Sequence, residues 1–390
     1  MLGAARHTDA DIRTILAGKG LDGDTALWQE RLRAVTDGDV ERALAEPAGS
    51  YSFQKLVALV SPAAENYLEQ MARLAHELTV QRFGRTIRLY APLYLSNYCT
   101  NPCRYCGFNR ENKFKRTRLT IDQALAEARI VASEGFRELL LVSSEDREFI
   151  SVDYLAGLAR RLRDKFSSIS IEIYQMSRDE YGRLFEAGIE GVTLYQETYD
   201  RQAYGYYHPS GPKSDYDRRL SAADSIAAAG MREVGLGALL GLTDWRVETL
   251  ALAEHAHHII KRYWQSHVSF SFPRLRPAYQ VEDSHFNAFS DRNLVQMITA
   301  LRLCFADVGL VLSTRERARL RDNLLALGVT RLSAGSRTSP GGYVGLTETT
   351  GQFEIDDKRT PAQVAAMMKK RGFEPVWKDW DRAFLGNPND

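Results

Sequence analysis

The sequence has few cysteines, no surplus of charge and no long apolar segment, and each shortage excludes a class of protein. The net charge of +1 over 390 residues gives no electrostatic reason to expect a nucleic acid or an anionic membrane as partner. No apolar run approaches the roughly 20 residues that a membrane-spanning helix needs, and the N-terminus lacks the apolar core of a secretory signal. Few and clustered cysteines fit a reducing compartment, so we expect a cytoplasmic protein.

Three of the four cysteines stand together in the stretch NYCTNPCRYCGF, residues 97–108. They are Cys99, Cys103 and Cys106, and their spacing lets three thiolates converge from a single loop. A disulfide framework needs an even number of cysteines, and structural zinc usually takes four ligands in paired knuckles. Three thiolates on a cubic iron–sulfur cluster would leave one iron without a protein ligand, which is the vacancy that substrate or cofactor chemistry requires. A zinc site completed by a histidine stays open as an alternative.

From residue 88 onward, short β-rich runs alternate with helical segments. Such βα units predict a parallel sheet with right-handed crossovers, and eight of them favour a closed (β/α)8 barrel of the TIM type. The candidate strands are 88–96, 138–142, 169–174, 191–196, 233–239, 267–272, 309–314 and 329–334. We therefore predict an α/β protein with a helical N-terminal extension (1–86), a barrel (87–334) and a C-terminal extension (335–390) that packs on the barrel.

Several helix boundaries are visible in the sequence. Thr120 with Gln123, and Ser177 with Glu180, have the spacing of a capping box, and Thr360 followed by proline predicts another helix start. Cys304 falls on the apolar face of a helical run and is expected to be a small buried hydrophobe. The run HAHH, residues 255–258, resembles a metal site but lies well into a helix, so we expect solvated side chains there.

Polar residues follow most of the candidate strands, where a barrel carries its chemistry. The cysteine loop follows the first strand, SSED (143–146) the second and YQETY (195–199) the fourth. Glu172 lies on the third strand, Arg274 and Arg276 follow the sixth and Arg315 follows the seventh. Each residue alone could serve only to hold a loop, but together they predict an active site at this end.

The cysteine loop, with an aromatic residue before its third cysteine, resembles the radical S-adenosylmethionine enzymes. Further stretches narrow the resemblance to the tyrosine lyases of thiamine biosynthesis, the 2-iminoacetate synthase family. These stretches are YQETY, HPSGPKSDY, VGLGALLGL, SFPRLRPA, STRE, LSAGSRTSPGGY and PVWKDWD. They extend from about residue 88 to residue 381, in the family's order.

The resemblance implies that the three cysteines hold a 4Fe–4S cluster whose open iron binds S-adenosylmethionine. Reductive cleavage of that cofactor gives a 5′-deoxyadenosyl radical, which takes hydrogen from the amino group of L-tyrosine. The Cα–Cβ bond then breaks and yields p-cresol and 2-iminoacetate. The implied partners are thiazole synthase, which receives the 2-iminoacetate, and a low-potential flavodoxin or ferredoxin as electron donor.

The resemblance also assigns site residues by position. Those at the family's cofactor contacts are Tyr105, Ser143, Ser144, Glu145, Glu172 and Glu197. The carboxylate of Glu172 is suited to accept hydrogen bonds from the ribose diol. Ser144 replaces the usual glycine of the second-strand loop, and Gln175 stands where a proline is expected.

Arg274 with Ser271 fits the role of holding the substrate carboxylate, and Arg315 is a second candidate for that role. A guanidinium fork pairs bidentately with a carboxylate, and each charge-assisted bond is worth roughly 1.5–3 kcal/mol. We expect the SPGGY turn, residues 339–343, to help close the site.

Rival hypotheses remain at this point. The related tyrosine lyase of hydrogenase maturation needs a second iron–sulfur site in a cysteine-bearing C-terminal extension, and no cysteine follows Cys304 here. A lyase acting on tryptophan is another possibility. From a different class, the chain could be an iron–sulfur carrier or a metal-binding module, which would not need polar groups around a whole barrel.

Overall fold

A closed parallel barrel forms the centre of the computed structural model, which describes residues 10–281, 286–345 and 350–377. Its strands are β1 (Thr86–Ser96), β2 (Glu138–Ser143), β3 (Ser168–Glu172), β4 (Gly191–Thr193), β5 (Glu233–Gly237), β6 (His267–Ser271), β7 (Gly309–Leu312) and β8 (Arg331–Ser333). Each strand pairs in parallel with the next, and β1 closes the ring by pairing with both β2 and β8. The predicted (β/α)8 fold and all eight predicted strands are confirmed.

Helices cover the outside of the barrel between successive strands. They are α6 (Ile121–Ser133), α7 (Val152–Leu162), α8 (Arg178–Glu186), α9 (Arg201–Tyr207), α10 (Tyr216–Leu220), α11 (Ala222–Ala228), α12 (Trp245–Arg262), α13 (Asp291–Cys304) and α14 (Ala318–Leu324). The predicted capping boxes at Thr120 and Ser177 are both formed. Strands covered on both faces are buried almost throughout, which explains why they appear in the sequence as continuous apolar runs.

Five α-helices precede the barrel from residue 10 onward, as the helical pattern of the first 86 residues predicts. They are α1 (Ile12–Lys19), α2 (Thr25–Arg33), α3 (Asp37–Ala45), α4 (Phe53–Val60) and α5 (Leu68–Phe83). Helix α5 buries Met71, Ala75 and Leu78 and packs against α13. The buried amide of Gln296 on α13 donates to the carbonyls of Leu59 and Ser61, which ties this layer to the barrel. Within the described ranges, no helix is both long and apolar enough to cross a membrane.

The C-terminal segment packs against the N-terminal end of the barrel strands. Helix α15 (Pro361–Lys370) begins after Thr360, as predicted, and Thr360 also forms a capping box with Gln363. Strand β9 (Glu374–Val376) then pairs with the first residues of β1, and Trp377 packs edge-on against Phe136. Part of the predicted extension thus adds a ninth strand to the sheet. The division of the chain into 1–86, 87–334 and 335–390 stays a prediction.

Charged residues line a cavity of about 560 Å³ at the N-terminal end of the barrel. Arg88 and Arg331 form ion pairs with the buried Glu138, at 2.8 and 3.1 Å, and Arg331 also pairs with Glu233 at 2.8 Å. Because these arginines and carboxylates compensate one another, we interpret this end as structural. The functional site is therefore expected at the C-terminal ends of the strands.

Two sequence predictions about helix residues have different outcomes. Cys304 is buried on α13, as predicted. The expectation that the HAHH histidines are solvated is wrong, because His255 and His258 are buried. A ring nitrogen of His255 lies 3.0 Å from the hydroxyl of Tyr199, and one of His258 lies 2.9 Å from Asp224. Helix α12 is covered by neighbouring helices on most of its surface, so these histidines pack inside the protein.

Candidate active site

The cysteine loop follows the C-terminal end of β1, and the side chain of Arg116 holds it through hydrogen bonds. Its guanidinium donates to the carbonyls of Asn97, Phe108 and Asn109, at 2.5, 3.0 and 2.6 Å. All three cysteines are free thiols; Cys103 is buried, and Cys99 and Cys106 are partly exposed. The loop has no helix or strand of its own, and Arg116 stabilises it by satisfying three of its carbonyls.

The three thiols interact electrostatically with one another. Burial raises the pKa of Cys103, and the charges of Cys106 and Cys99 raise it further. Burial and the neighbouring Cys99 raise the pKa of Cys106 to about 11. Lys213 opposes both shifts because its positive charge favours the thiolates. Without a metal, Cys103 and Cys106 stay protonated at neutral pH, so metal binding must release their protons.

The donor set fits an iron–sulfur cluster. The backbone amide and the side chain of Asn101 point at the sulfur of Cys99, at 3.4 and 3.8 Å, and the side-chain amide of Gln352 lies 3.9 Å from the sulfur of Cys106. N–H groups directed at sulfur are typical of cluster ligands. Across the described residues, no three His, Cys, Asp or Glu side chains are placed to hold a single metal ion. A cluster does not need such convergence, because each thiolate binds a different iron.

The loop after β2 braces the cysteine loop. Glu145 is buried and accepts a hydrogen bond from the Asn101 amide at 2.8 Å, and its carbonyl accepts from the backbone of Thr100. The hydroxyl of Ser144 donates to the carbonyls of Ser96 and Tyr98. Ser143, Ser144 and Glu145 do not line the cavity described next, so their predicted contact with the cofactor stays a prediction. In the structure, Ser144 and Glu145 hold the cysteine loop in place.

A cavity opens beside Cys106 and extends across the C-terminal end of the barrel. We call it the active-site cavity; its two lobes share Glu172, Tyr195, Pro273, Arg315 and Phe353. The first lobe reaches Ser271 and Ser336, and the second reaches Tyr105, Cys106 and Glu197. The buried hydroxyl of Ser336 has no hydrogen-bond partner in the described part of the protein, as expected of a group that faces a ligand site.

Glu172 lies at the junction of the two lobes. It accepts a hydrogen bond from the hydroxyl of Tyr195 at 3.1 Å. Burial raises the pKa of Glu172 to about 7, although the positive charge of Arg315 and the Tyr195 bond act in the opposite direction. The carboxyl group is therefore half ionised near neutral pH. It can accept hydrogen bonds from a polar ligand, and it changes its charge easily when its surroundings change.

Glu197 has an unusual backbone conformation for a residue with a side chain, with φ of 71°. Its carboxylate is paired with Lys213 at 2.5 Å, and Arg219 lies 3.9 Å away. The left-handed conformation is costly outside glycine and persists where the surroundings hold it, often at functional sites. Here it places a negative charge in the cavity and brings Lys213 towards the thiols.

Tyr105, which lines the second lobe, has its hydroxyl fixed by a histidine. The Tyr105 oxygen lies 2.8 Å from Nε2 of His208, and Nδ1 of His208 lies 2.9 Å from the carbonyl of Tyr204. Burial and the charge of Lys213 hold the pKa of His208 well below its usual value, so the ring is neutral. A neutral ring that donates from Nδ1 must accept at Nε2, and Tyr105 is therefore the donor.

Arg315 lines the active-site cavity and Arg274 does not, which reverses the order expected from the sequence. Arg274 does not line the cavity; its guanidinium lies 3.0 Å from Asp291 and 3.1 Å from Glu316. A substrate carboxylate would have to displace one of these partners, so the structure does not favour that role. Arg315 lines both lobes and stacks on Phe353, and no described carboxylate forms an ion pair with it.

A C-terminal segment, residues 351–357, crosses the mouth of the barrel; we call it the strap. It bonds to three different loops: the Gln352 carbonyl accepts from Gly107, the Glu354 amide donates to Pro277, and the Asp356 amide donates to Thr314. Phe353 from the strap lines both lobes of the cavity. The SPGGY turn lines neither lobe, so the expected closure by residues 339–343 is wrong, and the strap performs it.

Sequence reasoning missed several residues that the structure brings into the site. Lys213 belongs to the quoted HPSGPKSDY stretch, but its role could not be seen before Glu197 was placed beside it. Tyr195 belongs to the quoted YQETY stretch, but only its hydrogen bond to Glu172 shows that it is a residue of the site. Gln352 carries no signal of its own, because it meets Cys106 from 246 residues away.

Comparison with known proteins agrees with this site. The radical SAM superfamily model matches residues 93–253, and the Biotin and Thiamin Synthesis associated domain matches residues 271–374. The 2-iminoacetate synthase of Escherichia coli K12 is 43% identical over 358 residues, which cover 91% of this chain and 94% of that protein. The crystal structure of HydG, a maturase of the [FeFe]-hydrogenase, superposes with a TM-score of 0.85 at 32% identity, covering 92% of this chain and 80% of that chain. Methylornithine synthase, at 20% identity and a TM-score of 0.70 over 89% of this chain and 98% of its own, shares the fold.

The chain is therefore a radical S-adenosylmethionine enzyme, a class that works with a 4Fe–4S cluster and S-adenosylmethionine. Within that class it belongs to the 2-iminoacetate synthase family.

Proposed function

We propose that this protein cleaves the Cα–Cβ bond of L-tyrosine to give 2-iminoacetate and p-cresol for thiazole formation in thiamine biosynthesis. The observation that carries the proposal is a single cavity that joins Cys106 of the cysteine loop to an arginine without a carboxylate partner among the described residues, Arg315. Cys99, Cys103 and Cys106 would hold the 4Fe–4S cluster. Bound together, the cluster and S-adenosylmethionine supply a carbon-centred radical, which is chemistry that no side chain provides.

The residues of the cavity bind the substrate and the cofactor and exclude water. Arg315 receives the substrate carboxylate with its guanidinium fork, which Phe353 holds by stacking, and the hydroxyl of Ser271 lies on the same lobe. Glu172, Tyr105 and Glu197 face the S-adenosylmethionine side, where Glu172 accepts hydrogen bonds from the ribose hydroxyls. The strap excludes water, which protects both the radical and the hydrolysable imine product.

The partners follow from this chemistry. A low-potential flavodoxin or ferredoxin supplies the electron, because the cleavage of a sulfonium is a demanding reduction. Thiazole synthase takes up 2-iminoacetate before water converts it to glyoxylate. Both proteins, and a reducing environment that keeps all four cysteines as free thiols, point to the cytoplasm as the site of action.

The test is anaerobic turnover of cluster-loaded protein with tyrosine, comparing Arg315→Lys with the matched variant Arg274→Lys. We expect Arg315→Lys to lower kcat/KM for tyrosine by about tenfold or more, because one charge-assisted hydrogen bond of roughly 1.5–3 kcal/mol is lost. Arg274→Lys keeps the charge that meets Asp291 and Glu316 and should change kcat/KM by less than about threefold.

The products that form in this assay show whether tyrosine is the substrate. Formation of 5′-deoxyadenosine, p-cresol and glyoxylate supports the proposal, whereas 5′-deoxyadenosine without p-cresol would make another compound, such as tryptophan, the substrate. If Arg274→Lys causes the larger loss, the carboxylate is bound there and our assignment of Arg315 is wrong.

A further inference from the structure

Gln352 of the strap contacts the third cysteine and its surroundings through both its side chain and its backbone. Its side-chain oxygen accepts a hydrogen bond from the Tyr94 hydroxyl at 2.8 Å, and its side-chain nitrogen lies 3.9 Å from the sulfur of Cys106. The sulfur of a Cys106 thiolate can only accept a hydrogen bond, so the N–H end of the amide faces it and the oxygen end accepts from the Tyr94 hydroxyl. The amide is therefore oriented, not free to rotate.

The backbone around Gln352 fixes the same arrangement. Its carbonyl accepts from the amide of Gly107, the residue after Cys106, at 3.2 Å, and its own amide donates to Thr338 at 2.9 Å. A Cβ atom at residue 107 would lie 2.7 Å from the Gln352 carbonyl, so this close approach depends on glycine. Backbone and side chain of one distant residue are thus both directed at the third cysteine.

We propose that Gln352 is a positioning residue that raises the reduction potential of the cluster through Cys106. The proposal rests on the assignment of the three cysteines as cluster ligands. Uptake of one electron from an external donor adds one negative charge, part of which resides on the thiolate sulfurs. An N–H group directed at such a sulfur stabilises the added charge, and hydrogen bonds to sulfur are one of the means by which proteins set cluster potentials.

Removal of the N–H group should therefore make the cluster harder to reduce. Gln352→Met keeps the length of the side chain but has no N–H to donate. Tyr94→Phe leaves Gln352 in place and removes only the bond that orients its amide. We expect both variants to lower the midpoint potential, with Tyr94→Phe giving the smaller shift.

The size of the shift is limited by the length of the contact. A weak hydrogen bond lost from the reduced state changes the electron-binding equilibrium by at most about tenfold, which is about 59 mV for a one-electron couple. Glu354→Gln is the matched control, since this exposed strap residue has no described side-chain contact with the cysteine loop. Its potential should equal that of the unaltered protein.

The experiment is an anaerobic redox titration of the cluster-loaded full-length protein, followed by electron paramagnetic resonance, without tyrosine or S-adenosylmethionine. A more negative midpoint for Gln352→Met than for Glu354→Gln supports the proposal, and equal midpoints overturn it. If Gln352→Met does not retain the cluster, Tyr94→Phe decides, and an unchanged midpoint in that variant overturns the proposal. Because no tyrosine is present, a failure here is distinct from a failure of the proposed lyase activity.

Discussion

Glu172 is the residue whose charge state the cavity controls most directly. Four groups face it and act on its pKa: Arg315 and Lys213 lower it, the Tyr195 hydroxyl lowers it by donating a hydrogen bond, and Glu197 raises it. Burial outweighs them and sets the pKa at about 7. The pKa of the folded state is thus above the ordinary value, so folding stability falls as the pH rises from the ordinary pKa of a glutamate to about 7. A ligand that donates hydrogen bonds to the carboxylate offsets that loss.

Binding of S-adenosylmethionine should therefore strengthen as the pH rises through 7. A carboxyl group with a pKa of about 7 is roughly one-tenth ionised at pH 6 and nine-tenths ionised at pH 8, so we expect affinity to rise by about ninefold if only the carboxylate accepts the ribose hydroxyls. Isothermal titration calorimetry on the cluster-loaded protein at the two pH values measures this ratio. In Glu172→Gln the dependence should disappear, and a variant that keeps the full ninefold change would assign it to another group.

Among single residues, the sequence identified those that stand out by chemical type and spacing. It did not identify those whose role depends on what packs beside them. The three cysteines stood out by type and spacing, and their loop lies where predicted. The sequence placed Arg274 ahead of Arg315, but nothing local separates the two arginines, because both follow a barrel strand. Only the placement of Asp291 and Glu316 shows that Arg274 is already neutralised.

The strap is the element that connects the C-terminal segment to the site, and a buried ion pair anchors its end. Arg321 of α14 and Asp357 are both almost fully buried and bonded to each other, and Arg321 also donates to the carbonyl of Ser333. Arg359 adds two hydrogen bonds to the same carboxylate, at 2.9 and 2.6 Å. A carboxylate with two arginine partners at the end of the strap fixes where the segment leaves the cavity.

Asp357→Asn should destabilise the protein by about 3–5 kcal/mol, because it leaves the buried charge of Arg321 uncompensated. The neighbouring Asp356→Asn removes a half-exposed pair with Arg276, which is worth about 0–1 kcal/mol. Urea unfolding of the two variants, with the free energy of unfolding as readout, compares a buried with an exposed pair only one residue apart. Equal losses in the two variants would mean that the Arg321–Asp357 pair does not anchor the strap.

Elements defined by local signals were predictable, and those defined by distant contacts were not. Capping boxes at Thr120, Ser177 and Thr360 depend on side chains three residues apart, so the sequence contains the whole signal. The strap has no regular structure, and its position depends on bonds to loops that lie far away in sequence. The closure expected of the SPGGY turn was wrong for this reason.

At the scale of the whole molecule, the charged side chains with a structural role and those with a functional role lie at opposite ends of the barrel. Arginines and carboxylates around the cavity at the N-terminal end pair with one another, whereas Arg315 at the C-terminal end faces a cavity and has no carboxylate partner among the described residues. Alternation of strands and helices in the sequence was sufficient to predict the barrel and the end at which the site lies. The ninth strand and the compensating charges inside the barrel were not predictable, because both depend on the way the ring closes.

The measurement that tests the central claim most directly is anaerobic turnover of tyrosine by Cys103→Ala and Cys304→Ala, beside the unaltered cluster-loaded protein. Both variants remove one buried thiol, but only Cys103 belongs to the cysteine loop. We predict p-cresol and 5′-deoxyadenosine from the unaltered protein and from Cys304→Ala, and neither product from Cys103→Ala. If Cys103→Ala still forms p-cresol, or if the unaltered protein with a full cluster forms none, the assignment of this chain as a radical tyrosine lyase is contradicted.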